Sequence, residues 1–292
     1  MKQKTLIRLL AALCAVFSLV GLILRAGQLA SELQPDGTLA PGSARHIYLA
    51  VLTVVWLLVL IGLLLRLAPR ARAAQVLAPR SPVFWGYYPA AALLALGAIW
   101  SAFSGTSAPT VMGRIVAVLE PLVALAAAVC MALLARRCLE GKRPSPLLYM
   151  CQSLYLVLRL VVQFQGWNTD PSLHDYCFSL LTLICAMLSA FQLAGFCFDR
   201  GKRRLCLFWT LSAVYFQSIS LADAFKNGGG ADKLSALGLW LLLALGAWQL
   251  LHARGAQRRV RPPLTLPDEA EPAAPSEAAQ EAQELPDIRE ET

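Results

Sequence analysis

Arg159 lies in the apolar run YLVLRLVVQF, where it carries the only formal charge. Gln152, Tyr155, Arg159 and Gln163 recur at steps of three, four and four residues, which places them on one face of a helix. A guanidinium keeps its charge at any physiological pH and offers five donors in a planar fork. In hydrocarbon it costs at least about 2.5–3.5 kcal/mol to place. Such a group needs a partner: a carboxylate of the chain itself, or an anionic group arriving from outside.

Three carboxylates are candidates. Glu120 lies about five residues into its own apolar run, Asp223 near the end of another, and Asp175 at the start of a third, with His174 beside it. At 1.5 Å per residue Arg159 stands about 18 Å along its helix from Leu147, in the same half of a bilayer as these acids. Two readings follow. In the first, Arg159, Glu120, Asp175, Asp223, Gln163, Tyr155 and His174 line an outward-opening pocket for a small polar or anionic solute. In the second the cluster is architectural, an ion pair that fixes helix register. Asp170, followed by Pro171, reads as a helix N-cap.

The elements that must position these residues are membrane spans. Of 292 residues 57% are hydrophobic and 15% charged, and mean hydropathy is +0.56. That is too apolar for a soluble domain of this length, and its long uncharged runs suit spans of about 20 residues. Eight are expected, at about 6–24, 47–65, 84–103, 115–134, 147–164, 177–198, 205–225 and 234–251. The fold class is an all-α, polytopic integral membrane helix bundle. Residues 1–262 form the transmembrane domain, and 263–292 an acidic Pro/Ala/Glu tail too poor in apolar residues to order itself.

Charge sets the expected threading. Nineteen Lys/Arg fall in the N-terminal segment, alternate connections and the stretch after the last span, against five (Arg25, Arg45, Arg114, Lys226, Lys233) in the others. By the positive-inside bias both termini are cytoplasmic. The basic excess of residues 1–262 therefore reads as topology signal and lipid contact, with no nucleic-acid partner. Lys2, Lys4 and Arg8 before an apolar run also fit a signal peptide, but the run exceeds the usual 7–15 residues and lacks a clean cleavage site, favouring a retained anchor. Phe84, Trp85, Tyr87 and Tyr88 cluster at the start of the third span, as an interfacial aromatic belt would.

Catalytic sets do not assemble. The three histidines, His46, His174 and His252, form no HExxH, and no P-loop or Rossmann glycine pattern occurs. The eight cysteines contain no CxxC and lie mostly in apolar runs, where Cys acts as a small hydrophobe. The expectation is a non-enzyme without cofactor or metal, partnered by the bilayer and by either a small polar or anionic solute or another membrane protein. The phrase WNTDP, the LHDY that follows it, and Phe198-Asp199-Arg200-Gly201-Lys202 together resemble a group of uncharacterised multi-spanning proteins of clostridial bacteria, over residues 149–225. The resemblance implies a bacterial cytoplasmic membrane and carries no activity.

Overall fold

A computed structural model describes residues 3–32, 44–67, 81–104, 111–142, 144–167, 177–198 and 201–252. Asp170, His174, Asp175 and the acidic tail fall outside the described residues. The described helices all belong to one compact unit, Met1–Ala256.

Among the described residues eight helices are long and apolar enough to cross a membrane. They are α1 (Gln3–Ser31), α2 (Ala44–Leu65), α3 (Tyr87–Phe103), α4 (Val111–Leu139), α5 (Pro146–Trp167), α6 (Cys177–Cys197), α7 (Arg203–Asn227) and α8 (Gly230–His252). A short 3-10 turn, Pro82–Gly86, leads into α3, and no strand occurs among the described residues. By this measure the chain is a multi-pass helical membrane protein. Large apolar side chains such as Leu19, Ile23, Leu58, Leu154 and Phe164 face outward and exposed, as a lipid-facing belt requires. The end of the bundle where α1 starts is called here the near end, and the opposite one the far end.

Six helices close a circuit. α3 packs on α4, α4 on α5, α5 on α6, α6 on α7, α7 on α8, and α8 back on α3. α1 and α2 lie outside this circuit, against α7. That makes α7 the axis of the bundle: 83% of its spanning window is buried, against at most 61% in any other span. Its interior is unusually rich in hydroxyls, which the helix tolerates because they bond to the preceding turn. Thr210 donates to the Cys206 carbonyl at 2.7 Å and Ser218 to that of Val214 at 2.7 Å.

Small residues set the closest approach, as is usual where lipid supplies no hydrophobic force between helices. A Cβ on Gly97 would lie 2.4 Å from Ser235 Oγ and 3.0 Å from the Ser235 backbone nitrogen. A Cβ on Gly238 would lie 2.9 Å from Leu94 Cγ. These two glycines let α3 and α8 touch backbone to backbone and so close the circuit. Gly97→Val is expected to destabilise the detergent-solubilised protein by about 1–3 kcal/mol through overpacking, read as a lowered unfolding midpoint.

Near-end connections are fastened by backbone caps. Gly141, at φ 79°, ends α4: its N–H bonds to Cys138 O at 3.1 Å and that of Lys142 to Arg137 O at 2.9 Å, the pair of bonds of a Schellman cap. Glu140 beside it accepts from Lys142 Nζ at 3.0 Å and Arg136 Nε at 2.9 Å, and these cations hold its carboxyl below the ordinary glutamate range. Arg203, fully buried, donates to the Leu250 and Leu251 carbonyls at 3.2 and 3.0 Å. Arg204 donates to Leu67 O at 2.7 Å. Two arginines read from the sequence as topology signal thus also close the carbonyl ends of α8 and of the α2 segment, where a positive charge is favoured by the helix dipole.

Two sequence expectations are adjusted by the fold. α1 runs on to Ser31, so Arg25 belongs to a helix and not to a connection. In the aromatic cluster Phe84 and Tyr87 are buried in the core while Trp85 is 66% exposed. Neighbouring residues on a helical turn point about 100° apart, so four adjacent aromatics cannot all face the interface.

Candidate functional site

α5 carries the polar face expected of it. Leu154, Val157, Val161 and Phe164 are exposed, which turns the opposite stripe inward. On that stripe Gln152 and Tyr155 are buried, and Arg159 and Gln163 half-buried. Arg159 Nη1 donates to the Tyr155 hydroxyl at 2.8 Å, one turn below. One turn above, Gln163 Oε1 is buried without a partner among the described residues. Tyr149 extends the stripe toward the near end, fully buried, with its hydroxyl equally unpartnered.

Around Arg159 the carboxylates are near but not bonded. Glu120, half-buried on α4 just before Pro121, and Asp232, at the start of α8, both act on its charge. Among the described residues neither lies within ion-pair distance of it. Asp232 is engaged elsewhere, since Gly229 N–H bonds to its Oδ2 at 3.1 Å, the reach-back bond that closes a helix N-terminus. Arg159 and Tyr155 are therefore bonded and Gln163 shares their helix face, while Glu120 on α4 makes no ion pair with them. His174 and Asp175 lie outside the described residues.

Asp223 is placed differently. It sits against Arg25, whose Nη2 and Nε approach the same Oδ1 at 2.8 and 2.9 Å. Arg25 is 2% exposed, and its Nη1 also donates to Gln28 Oε1 at 2.9 Å. The contact is made possible one turn earlier, where Gly21 lets α1 close on α7: a Cβ there would stand 3.0 Å from Ile219 Cγ1. Beside it Arg45, near the start of α2, donates to Gly27 O and Ser31 Oγ and lies 3.9 Å from Glu32. Thr53 and Tyr215 share a hydrogen bond of 2.9 Å that ties α2 to α7 lower down. Among the described side chains the far end thus holds two fastened arginines, Arg25 and Arg45, and one, Arg159, bonded to a neutral hydroxyl.

The seam between α6 and α7 is made of small polar pairs. Ser189 and Thr210 meet at 2.6 Å, and Thr182 and Ser220 at 3.3 Å. Gln217 donates to Ala236 O at 3.0 Å, extending the seam to α8. Toward the near end, residues of all six helices in the circuit, including Tyr87, Tyr149, Gln152, Ser189 and Thr210, line a cavity of about 10 Å³, enough for about one water-sized group. At its edge Tyr87 donates to Gln249 Oε1 at 3.1 Å, leaving Gln249 Nε2 without a partner among the described residues. Polar side chains therefore continue along the inside of the circuit from Gln163 to Tyr149, a rise of about 21 Å.

Sequence reasoning missed the Arg25–Asp223 pair. Its signal was the spacing of Ser18, Gly21, Arg25 and Gln28, a small-and-polar stripe that continues past the apolar run. Among the described residues no His, Cys, Asp and Glu side chains group in threes as metal ligands. Fold and site together define a multi-pass membrane helix bundle with a charged cluster at its far end and a polar interior face. No protein-family model, curated protein or solved structure matches the chain.

Proposed function

We propose that the protein binds a small anionic or polar solute at Arg159, as a transporter or sensor of a bacterial cytoplasmic membrane, with the far end outward. One observation carries this reading. Arg159 is held inside the circuit by a tyrosine hydroxyl, whereas the buried arginine of the same end is paired with a carboxylate. A membrane-embedded guanidinium without a bonded counter-ion retains most of its donors for a ligand. Tyr155 orients the fork, Gln163 offers a further hydrogen-bonding group one turn above, and Glu120 supplies the charge that a ligand must displace or balance.

The test is a thermal unfolding series in detergent with chloride, sulfate, phosphate and small carboxylates at matched ionic strength. At least one anion is expected to raise the midpoint saturably, approaching about 2.7 kcal/mol at a hundred times its dissociation constant. The gain should vanish in Arg159→Gln. Anion effects that are absent, or identical in the two proteins, would sink the proposal. Flux into vesicles then separates transport from sensing.

A second reading is supported by the Arg25–Asp223 pair and the hydroxyl seam, which are both architectural. On that reading the Arg159 cluster is structural as well, and the protein is an accessory of a membrane partner with which it co-purifies.

A further inference from the structure

α1 and α8 both pack on α7 yet hardly on one another, and this leaves a cleft with α7 as its floor. The cleft has a volume of about 530 Å³ and is lined by Ala11, Ala15 and Leu22 of α1, by Val214 of α7 and by Ala244 and Trp248 of α8, among others. Its lining extends from Ala11 to Leu22 and from Trp240 to Leu251, a depth of about 16 Å. That length is half of a hydrocarbon core of about 30 Å; it lies in the near-end half of α8 and along the middle of α1 and α7. Small side chains at Ala11, Ala15, Ala244 and Ala247 hollow it out, where larger ones would have let α1 and α8 meet.

Among the described residues its near-end mouth carries a cation and no carboxylate. Arg8, exposed, continues the lining stripe of Ala11, Ala15, Ser18 and Leu22 by one turn. His252, also exposed, follows Leu251 and stacks on Trp248 with ring centroids 4.1 Å apart. α1 has no Asp or Glu, and neither do the near-end halves of α7 and α8. An apolar slot about as long as one leaflet, one turn beyond an exposed arginine and beside an aromatic pair, has the chemistry of a single lipid with a net negative headgroup.

We propose that this cleft holds one acyl chain of an anionic phospholipid, with its headgroup against Arg8 and His252. The site is separate from Arg159 and stands whether or not that residue binds a solute. Native mass spectrometry of the full chain, released from micelles containing phosphatidylglycerol and phosphatidylcholine of matched chains, reads it directly. The wild type should retain one phosphatidylglycerol in preference to phosphatidylcholine. Arg8→Gln should lower that preference about fivefold, the effect of one surface cation, without moving the unfolding midpoint. Ala15→Phe projects into open space from an exposed position and should abolish retention of both lipids. Equal retention of the two lipids would overturn the proposal. So would Ala15→Phe leaving retention unchanged, or a second copy of the chain occupying the cleft without lipid.

Discussion

Replacing Asp223 by Asn is expected to cost the folded bundle about 3–5 kcal/mol, the usual penalty for leaving a buried charge without its counter-charge. The carboxylate accepts from two nitrogens of Arg25, which is almost fully enclosed. An amide of the same shape can still accept a hydrogen bond but supplies no compensating charge. Arg25→Leu should be milder, because it removes the buried cation and leaves Asp223, which is 22% exposed, access to water. The Arg25→Leu/Asp223→Leu double variant should recover much of the loss, since apolar replacement of a whole buried pair is often neutral or better. Chemical unfolding of the four proteins in one detergent checks this. Additive losses would mean that the pair is not coupled.

Arg203→Ala is the second large effect, expected at about 2–4 kcal/mol. Its fork serves two carbonyls at the end of α8 in a place closed to water. A hydrogen bond from a charged donor contributes about 1.5–3 kcal/mol, and removing it leaves buried acceptors unsatisfied. Arg203→Lys should restore only part of the stability, because a point-like ammonium cannot span two carbonyls as a fork does. The loss should also be local. Hydrogen exchange at the last turn of α8 should quicken before that of α3 or α6.

These effects show where the sequence was legible. Eight spans could be read because hydrocarbon demands long apolar helices, and the ends of α2 through α8 fall within about five residues of the expected runs. α1 was the exception, and for a physical reason. Arg25 ends the apolar run, and a charge at the end of such a run ordinarily marks the interface. Here it remains inside because its partner is 198 residues away, a pairing that no local pattern encodes. The polar stripe of α5 was legible because side chains on one helix face obey a fixed period. Which carboxylate meets which arginine was not, because pairing depends on how α1, α4 and α7 are arranged around the stripe. Arg159 and Asp223 both lie in the far-end half of their helices, yet Asp223 turns to the α1 side of α7.

The stability of Arg159→Gln in the absence of any added anion, measured beside Glu120→Gln and the double variant, tests the central claim most directly. If Arg159 is kept for a ligand, Arg159→Gln unfolds at the same denaturant concentration as wild type or a higher one. The double variant should then show no coupling beyond about 0.5 kcal/mol. If Arg159→Gln is destabilised by about 3 kcal/mol or more and Glu120→Gln rescues it, Arg159 is an architectural ion-pair residue and the solute-binding account is contradicted.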